Sequence, residues 1–423
     1  MSSALSATQA AKRIREGTLR SETLIQECLE RIEAREPQVG AWEYLDPDSA
    51  LRQARAADRG PSKGALHGVP IGIKDIIDTA DMPTTLGSPI YRGRQPQWDA
   101  ACVAAARAAG AIVLGKTVST EFAYFQAGKT RNPHSLLHTP GGSSSGSAAA
   151  VADGMVPLAF GSQTAASLTR PAAFCGVFGY KASLGELSLS GIRPFAESLD
   201  SLGILARSVS DIVLLRTVLI GARHGALDDV APTLGLCRTA QWELADPCGQ
   251  AAVELCAERL ARSGARVIEV ELPTHFAALI DAHKCIMAYE AAHNYVYEIN
   301  HFALQLSEAF RALLETGAEI SRDSYLRAKL SVTLATAELP SCFGKCDALI
   351  APSAIGEAPL ASDGTGDPVM SRMWTALQLP SLAVPLSHGP SGLPLGMQLI
   401  TLRHEDDALL RVGEWVSRKL EMQ

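Results

Sequence analysis

The stretch Thr139-Pro-Gly-Gly-Ser-Ser-Ser-Gly-Ser147 runs without interruption into the helix-prone residues 147–153. A flexible linker would have a similar composition, because glycine and serine leave the backbone free. Helical sequence follows at once, however, and no domain boundary is evident around the stretch. We therefore predict a tight loop whose backbone N–H groups point inward at the N-terminus of a helix.

This loop lacks the signature of a nucleotide site. It does not end in Gly-Lys-Ser or Gly-Lys-Thr, and no G-x-G-x-x-G follows a predicted strand. No H-E-x-x-H pattern occurs either, and His134 and His138 precede the loop without a helical pattern. A structural role in the loop is therefore favoured for these histidines. The sequence predicts neither a metal site nor a cofactor.

Helix and strand patterns alternate on both sides of the loop. An alanine-rich helix is predicted over residues 100–109, followed by a strand over 111–114. The same order recurs with a helix over 250–263 and a strand over 266–270. Such alternation is typical of α/β proteins. Because no repeat or long linker interrupts the 423 residues, we predict one large α/β domain, 1–423.

One long span departs from this alternation. Residues 274–338 are predicted to be mainly helical, without an intervening strand. They lie between the strand at 266–270 and a further strand predicted at 348–351. This region is a candidate helical cap or lid within the domain.

Composition restricts the classes of partner. The 38 basic and 45 acidic residues give a net charge of -7, which argues against a nucleic-acid surface. No apolar stretch approaches the roughly 20 residues of a membrane-spanning helix, and no export signal is evident at the N-terminus. The nine scattered cysteines are typical of free thiols in a reducing compartment. A cytoplasmic protein without nucleic-acid or membrane partners is expected.

Two further features suggest chemistry. Residues 161–176 form a small-residue loop that contains Ser167, which would cap a helix or, with backbone donors beside its hydroxyl, act as a nucleophile. Lys74 ends the apolar strand 68–75. Its ammonium group would either reach solvent or, if buried, lose its charge and serve as a base.

Together these segments resemble the amidase signature family of serine hydrolases. The family's glycine- and serine-rich block is similar to Gly141-Gly-Ser-Ser-Ser-Gly-Ser-Ala-Ala-Ala-Val-Ala152, and its nucleophile loop is similar to residues 161–167. Lys74 precedes Ser143 by 69 residues, and Ser143 precedes Ser167 by 24, in the family's order. Residues 391–400 resemble another family block. Residues 72–80 and 365–368 look most like the malonamidase branch, which acts on small amides.

The resemblance implies a fold and a set of roles. The fold would be a mixed central sheet covered by helices. Ser167 would be the nucleophile, Ser143 a relay that follows a cis peptide bond, and Lys74 the base, in a variant of the catalytic triad. The backbone N–H groups of Thr164, Ala165, Ala166 and Ser167 would form the oxyanion hole.

The sequence departs from the family pattern before the nucleophile. Ala165 and Ala166 stand where glycines are usual, and they would cost stability if either position required a positive φ. Their methyl groups would also narrow the acyl pocket. Ser162 and Gln163 replace the commoner Thr-Asp pair, which would alter the support of the loop.

Three residues are candidates for substrate binding. Arg170 would clamp a substrate carboxylate, or would instead fix the loop through a structural ion pair. Tyr124 and Phe125 would line the substrate channel, as the resemblance implies, or would be ordinary core aromatics.

The predicted function is hydrolysis of the C–N bond of a small amide through an acyl-enzyme, without metal or cofactor. A carbamate (urethane) or aryl-amide hydrolase is an alternative with the same chemistry. A second alternative is the amidotransferase subunit of a tRNA-dependent complex, against which the acidic charge and the absence of an evident docking extension weigh. A third is a binding protein that has lost activity. The predicted partner is a small-molecule amide or carbamate, and a homodimer is left open.

Overall fold

Eleven strands pair into one continuous sheet in the computed structural model, which describes residues 5–221 and 230–421. In chain order they are β1 (Trp42–Leu45), β2 (Pro70–Lys74), β3 (Ile112–Thr117), β4 (Leu158–Gln163), β5 (Phe178–Lys181), β6 (Ser201–Ala206), β7 (Thr233–Cys237), β8 (Arg266–Val270), β9 (Ala348–Pro352), β10 (Ser381–His388) and β11 (Pro394–Ile400). Their order across the sheet is β1-β3-β2-β4-β6-β5-β10-β11-β9-β7-β8. Because β2 is parallel to β3 and β4 whereas β5 and β6 are antiparallel, the sheet is mixed, as predicted.

The same described residues contain fourteen α-helices. They are α1 (Ala7–Arg15), α2 (Ser21–Val39), α3 (Pro47–Arg59), α4 (Ala101–Ala108), α5 (Ser145–Ala152), α6 (Thr169–Cys175), α7 (Val209–Ile220), α8 (Pro247–Arg262), α9 (Leu279–Asn294), α10 (Val296–Phe302), α11 (Glu308–Glu319), α12 (Arg322–Phe343), α13 (Val369–Ala376) and α14 (Asp406–Glu421). None of these helices combines the length and the apolar character that crossing a membrane requires.

Alternate residues of the central strands enter two different hydrophobic cores. In β3, Ile112 and Leu114 pack with α2, α3, α5 and α6, whereas Val113 joins the larger core that contains residues of α4, α7, α8 and α9. Successive side chains of a strand point to opposite faces, so helices cover both faces of the sheet. The single α/β domain with a helix-covered sheet is thus confirmed.

Glycine at position 146 lets α5 approach the sheet closely. A Cβ at Gly146 would lie 2.2 Å from the Ala41 carbonyl oxygen and 2.3 Å from the Val118 nitrogen. Any larger side chain would push the first turn of α5 outward. The glycine- and serine-rich stretch is therefore a packed loop and helix start rather than a linker.

The elements around the candidate nucleophile differ from the prediction. The sequence interpretation of residues 161–176 as one small-residue loop is wrong, because β4 and α6 occupy most of this span. Every residue of both elements is buried. A segment that is buried on all sides shows no polar-apolar periodicity, which is the signal that sequence reasoning uses.

The helical prediction for residues 274–338 is confirmed, since α9, α10, α11 and most of α12 fill this region. The helices predicted over 100–109 and 250–263 correspond to α4 and α8. All nine cysteines are free thiols.

Candidate active site

Three elements bring the predicted catalytic residues to one edge of the sheet. Lys74 is the last residue of β2, and Ser167 lies in the turn between β4 and α6. Since β2 and β4 are parallel neighbours, their carboxyl ends reach the same edge. Ser143 lies just before α5, and the Gly142–Ser143 peptide bond is cis, as the resemblance implies.

Lys74 makes two hydrogen bonds in a fully buried position. Its Nζ lies 2.7 Å from Ser143 Oγ and 2.9 Å from Ser162 Oγ. Burial disfavours the charged ammonium and lowers the pKa of Lys74 to about 7, against a smaller opposing effect of Asp200. A substantial fraction of Lys74 is therefore neutral near pH 7, and its Nζ is free to accept a proton.

Ser143 and Ser167 line the same pocket. Among the described residues no hydrogen bond joins their two hydroxyl groups, so the Lys74–Ser143 contact is formed while the Ser143–Ser167 contact is not. Ser167 is 8% exposed, and its hydroxyl donates to no described protein group. The nucleophile candidate is thus free to face a substrate.

Asp200 is a buried acid beside this site that sequence reasoning missed. Its carboxylate accepts hydrogen bonds from Thr164 Oγ1 and from the backbone N–H groups of Phe195 and Ala196. Burial is the largest effect on it and raises the pKa of Asp200 to about 7. An acid directly before the apolar segment 201–206 is the signal that could have found it.

Backbone donors surround Ser167. The N–H groups of Ala165, Ala166 and Ser167 donate to no acceptor among the described residues. Neither alanine has a positive φ, so the conformational cost that we considered for alanine at these positions does not arise. The three amides are available to a developing oxyanion.

Gln163 organises the start of α6. Its Oε1 accepts from the N–H groups of Leu168 and Thr169, and its Nε2 donates to Thr375 Oγ1. A neutral amide thus caps the helix where the family pattern has an acid. The loop before α6 is therefore supported by the Gln163 amide instead of a carboxylate, which is the altered support that the sequence suggested.

The pocket is small, with a cavity volume of about 20 Å³, and has mainly apolar walls. Tyr124 and Phe125 lie in its lining together with Phe195 and Met287. Tyr124 stacks on Phe195, with ring centroids 5.8 Å apart. Both sequence-predicted aromatics therefore lie at the pocket, and Met287 comes from the predicted cap region.

Arg170 is buried, and its guanidinium is held by the chain itself. It donates to the carbonyl oxygens of Gly142 (2.7 Å) and Gly366 (2.5 Å) and to Thr365 Oγ1 (3.1 Å). No acidic side chain among the described residues lies within ion-pair distance of Arg170, so the structural ion pair predicted as the alternative is not formed. These contacts favour a positioning role for Arg170 over a substrate clamp.

No cluster of three or more His, Cys, Asp or Glu side chains that could hold a metal occurs in the ranges 5–221 and 230–421. His134 Nε2 contacts the Cys175 carbonyl oxygen, and His138 Nδ1 contacts Ser135 Oγ. Both histidines therefore have structural contacts in the loop region.

The mixed sheet and its serine-lined pocket place this chain in a known class. It belongs to the amidase family, whose model matches residues 23–410. It is 34% identical over 463 aligned positions to a glutamyl-tRNA(Gln) amidotransferase subunit of Anaeromyxobacter sp. (strain K), covering 95% of this chain and 93% of the relative. The corresponding subunit of Roseiflexus castenholzii is also 34% identical, with 98% and 95% covered.

Solved structures give the same family. The peptide amidase from Stenotrophomonas maltophilia superposes with a TM-score of 0.87 at 29% identity, covering 99% of this chain and 98% of that one. A protein of a vestigial complex related to an s-triazine catabolic enzyme superposes with a TM-score of 0.90 at 26% identity, covering 98% of each chain.

These similarities correct two expectations. Both curated relatives named above are amidotransferase subunits, so the similarity does not single out the malonamidase branch. Because their name includes a tRNA, the comparisons lend no support to the exclusion of nucleic acid.

Proposed function

We propose that this protein cleaves the C–N bond of a small amide with Ser167 as nucleophile, Ser143 as relay and Lys74 as base. The observation that carries the proposal is the 2.7 Å contact between Lys74 Nζ and Ser143 Oγ in a fully buried position. A lysine with a lowered pKa can take a proton near neutral pH, which a solvent-exposed lysine cannot.

In the acylation step, Lys74 takes the hydroxyl proton of Ser143 while Ser143 takes that of Ser167. The Ser167 oxygen then attacks the amide carbonyl, and the negative charge develops on the carbonyl oxygen. The backbone N–H groups of Thr164, Ala165, Ala166 and Ser167 would stabilise that charge. When the C–N bond breaks, the proton returns through Ser143 to the leaving nitrogen.

Deacylation repeats the sequence with water. Lys74 and Ser143 take a proton from water, whose oxygen attacks the ester carbonyl of acylated Ser167. The C–O bond then breaks, Ser167 regains its proton and the carboxylic acid leaves. Ser162 positions Lys74 throughout, because its hydroxyl fixes the Nζ atom from a second side.

The substrate would be small. The pocket holds few heavy atoms, and the Ala165 and Ala166 side chains occupy part of the lining beside Ser167. The aromatic wall of Tyr124, Phe125 and Phe195 would accept an apolar or aryl group. A carbamate or aryl-amide substrate would use the same acyl-enzyme chemistry.

The helical region 274–338 would cover the site as a cap. Met287 of α9 lines the pocket, and Phe310 of α11 contacts Tyr124 and Phe195 in the aromatic cluster.

A homodimer and a cytoplasmic location stay predictions.

A second candidate is an amidotransferase subunit that delivers ammonia to a partner. The similarity to glutamyl-tRNA(Gln) amidotransferase subunits along nearly the whole chain favours it, and the proposed chemistry up to the acyl-enzyme is the same. The two functions differ in whether an isolated chain turns over.

A substrate panel separates the candidates. The purified protein is given short primary amides, glutamine, anilides and carbamates, and free ammonia or amine is measured. Turnover of a small amide by the chain alone supports the hydrolase. Turnover of glutamine that requires a partner supports the amidotransferase. If wild-type protein and Ser167→Ala give the same rate on every substrate, the proposed nucleophile is wrong.

A further inference from the structure

Arg372 is a second buried guanidinium near the pocket, and the proposed mechanism does not use it. It lies on α13, is 7% exposed, and follows by one turn Pro368, which lines the pocket. No carboxylate among the described residues lies within ion-pair distance of Arg372. Asp367 raises the pKa of both Arg372 and Arg170 from a distance, while its own Oδ1 accepts the Val369 N–H.

The two arginines affect each other. Burial and then Arg372 lower the pKa of Arg170 to about 9, so Arg170 is still charged at neutral pH. Arg372 is charged as well, because a guanidinium keeps its proton in proteins. Two buried positive charges without a bound counter-charge are unfavourable unless an anion completes the site. The three hydrogen bonds of Arg170 hold its guanidinium on backbone and threonine oxygens. The Nε of Arg170 is buried and unpaired, whereas Arg372 makes one described hydrogen bond, to His283, and so keeps more unused donors.

A neutral histidine orients Arg372. His283 is fully buried in α9, and its Nε2 contacts the Thr164 carbonyl oxygen at 2.8 Å. That contact makes Nε2 the donor, so Nδ1 is left to accept from Arg372 at 3.0 Å. Burial and then Arg372 lower the pKa of His283 to about 3, which keeps the ring neutral. One terminal nitrogen of Arg372 is thereby fixed.

The remaining donors of Arg372 are open. Its Nε and its other terminal nitrogen donate to no described residue. Neither atom belongs to the fully buried polar atoms that lack a hydrogen-bond partner, so both keep some contact with solvent. Two residues of the pocket lining lie beside His283. The carbonyl oxygen of Thr164 is hydrogen-bonded to its ring, and Met287 lies one helical turn further along α9. Arg372 also acts electrostatically on the Tyr124 hydroxyl, which lowers the pKa of that tyrosine against the larger effect of burial.

We propose that Arg372 binds a carboxylate of the substrate, and that His283 is the positioning residue that holds its guanidinium toward the pocket. The substrate class is thus an amide that also carries a carboxylate. This inference rests on the proposed function, because it names the substrate of the same site. The carboxylate would be either on the acyl side, as in the monoamide of a short dicarboxylic acid, or on the amine side, as in an N-acylated amino acid.

The first experiment measures binding without turnover. Ser167→Ala protein is titrated calorimetrically with succinamate and with butyramide, which has a methyl group in place of the carboxylate. N-acetylglycine and N-ethylacetamide form the corresponding pair for the amine side. We expect tighter binding of the acid in at least one pair. In the double variant Ser167→Ala, Arg372→Leu the dissociation constant of that acid should rise about 10- to 100-fold, the range for loss of a charge-assisted contact.

Controls separate this role from a structural one. Arg327→Gln removes a positive charge from an exposed residue of α12 and should leave all four dissociation constants unchanged. Arg372→Lys, which keeps the charge and loses the planar fork, should bind the acid with intermediate affinity. Equal binding of acid and neutral amide in both pairs, or an equal loss on both after Arg372→Leu, overturns the inference.

Kinetics provide the second test. In otherwise wild-type protein, Arg372→Leu should raise KM for the acid about 10- to 100-fold while kcat changes little. The neutral partner should be turned over as before. If kcat falls equally on both substrates, Arg372 only holds the backbone at Thr164 in place through His283, and the inference is wrong. If no wild-type turnover of any amide is seen while the binding difference holds, the proposed function fails and the anion site stands.

Discussion

Lys74 Nζ lies 2.7 Å from Ser143 Oγ, and both side chains are buried at the end of β2. The hydroxyl of Ser143 therefore already faces a lysine whose pKa is lowered to about 7. Ser167 lines the same pocket without a hydrogen bond to Ser143. Substrate binding would have to complete only that last contact.

Replacing Ser167 by alanine should reduce kcat by a factor on the order of 10⁶, as in other serine hydrolases that lose a triad residue. The fold should be intact, because the Ser167 hydroxyl bonds no described protein group. Turnover and the melting temperature are measured together. Ser145→Ala, which removes a buried hydroxyl bonded to the Val118 carbonyl oxygen, is the matched control and should keep most activity. More than a few per cent of activity in Ser167→Ala would place the nucleophile elsewhere.

The pH dependence should report Lys74. Because the neutral lysine is the proposed base and burial lowers its pKa to about 7, kcat/KM should rise with pH along a limb with an apparent pKa near 7. A free lysine would give a limb near 10.4. The limb belongs to the coupled site, so it is assigned with variants. Lys74→Ala should abolish it, and Lys74→Arg should not restore activity, since a guanidinium stays protonated.

Lys116 is the control for this assignment. It is also buried, on β3, and burial lowers its pKa to about 8, but its Nζ bonds the Ile77 carbonyl oxygen and Thr84 Oγ1 instead of the pocket serines. Lys116→Met should leave the midpoint of the limb in place. Normal turnover by Lys74→Arg would show that Lys74 is only a hydrogen-bond donor.

Asp200 should tune the base. Its negative charge raises the pKa of Lys74, so Asp200→Asn should move the limb to lower pH and increase activity at pH 6 relative to pH 8. The full pH profile of kcat/KM is measured. Asp48→Asn removes an exposed carboxylate of α3 and should leave the profile unchanged. A limb that moves to higher pH in Asp200→Asn would contradict the electrostatic coupling.

Glycine at position 166 should not relieve strain. Since Ala166 lacks a positive φ, Ala166→Gly should lower the free energy of unfolding by about 0.5–1 kcal/mol through backbone entropy. Removing the methyl group also widens the pocket, so KM for bulkier acyl groups should fall. Denaturant unfolding and kinetics with two acyl sizes check both effects. A more stable Ala166→Gly protein would show that the loop prefers glycine.

Arg170→Ala should lower kcat on acid and neutral amides alike. The substitution leaves the carbonyl oxygens of Gly142 and Gly366 without their donor, which should cost about 3 kcal/mol of stability. Kinetics with succinamate and butyramide and thermal unfolding are compared. A loss confined to KM for the acid, without a change in melting temperature, would restore the substrate clamp.

The sequence determined the family, the three-motif order and the positions of Lys74, Ser143 and Ser167, because these depend on local residue types and spacing. It also determined α4, α8 and β8, since those elements are only partly buried and keep a mixed pattern. The fully buried β3 was predicted from its short apolar run directly after the glycine that ends α4. The sequence could not predict β4 or α6, whose residues are buried on all sides and therefore have no periodicity.

Tertiary structure alone decided the contacts between distant segments. Asp200 lies 126 residues after Lys74 in sequence, and Arg372 lies 89 residues after His283, yet each pair interacts electrostatically across the site. Nothing local to Arg170 reveals that Gly142 and Gly366 bind its guanidinium. Burial, which sets the pKa of Lys74, likewise depends on how helices cover the sheet. Spacing along the chain therefore identified the proposed reacting groups, whereas packing between distant elements fixed their charge and their partners.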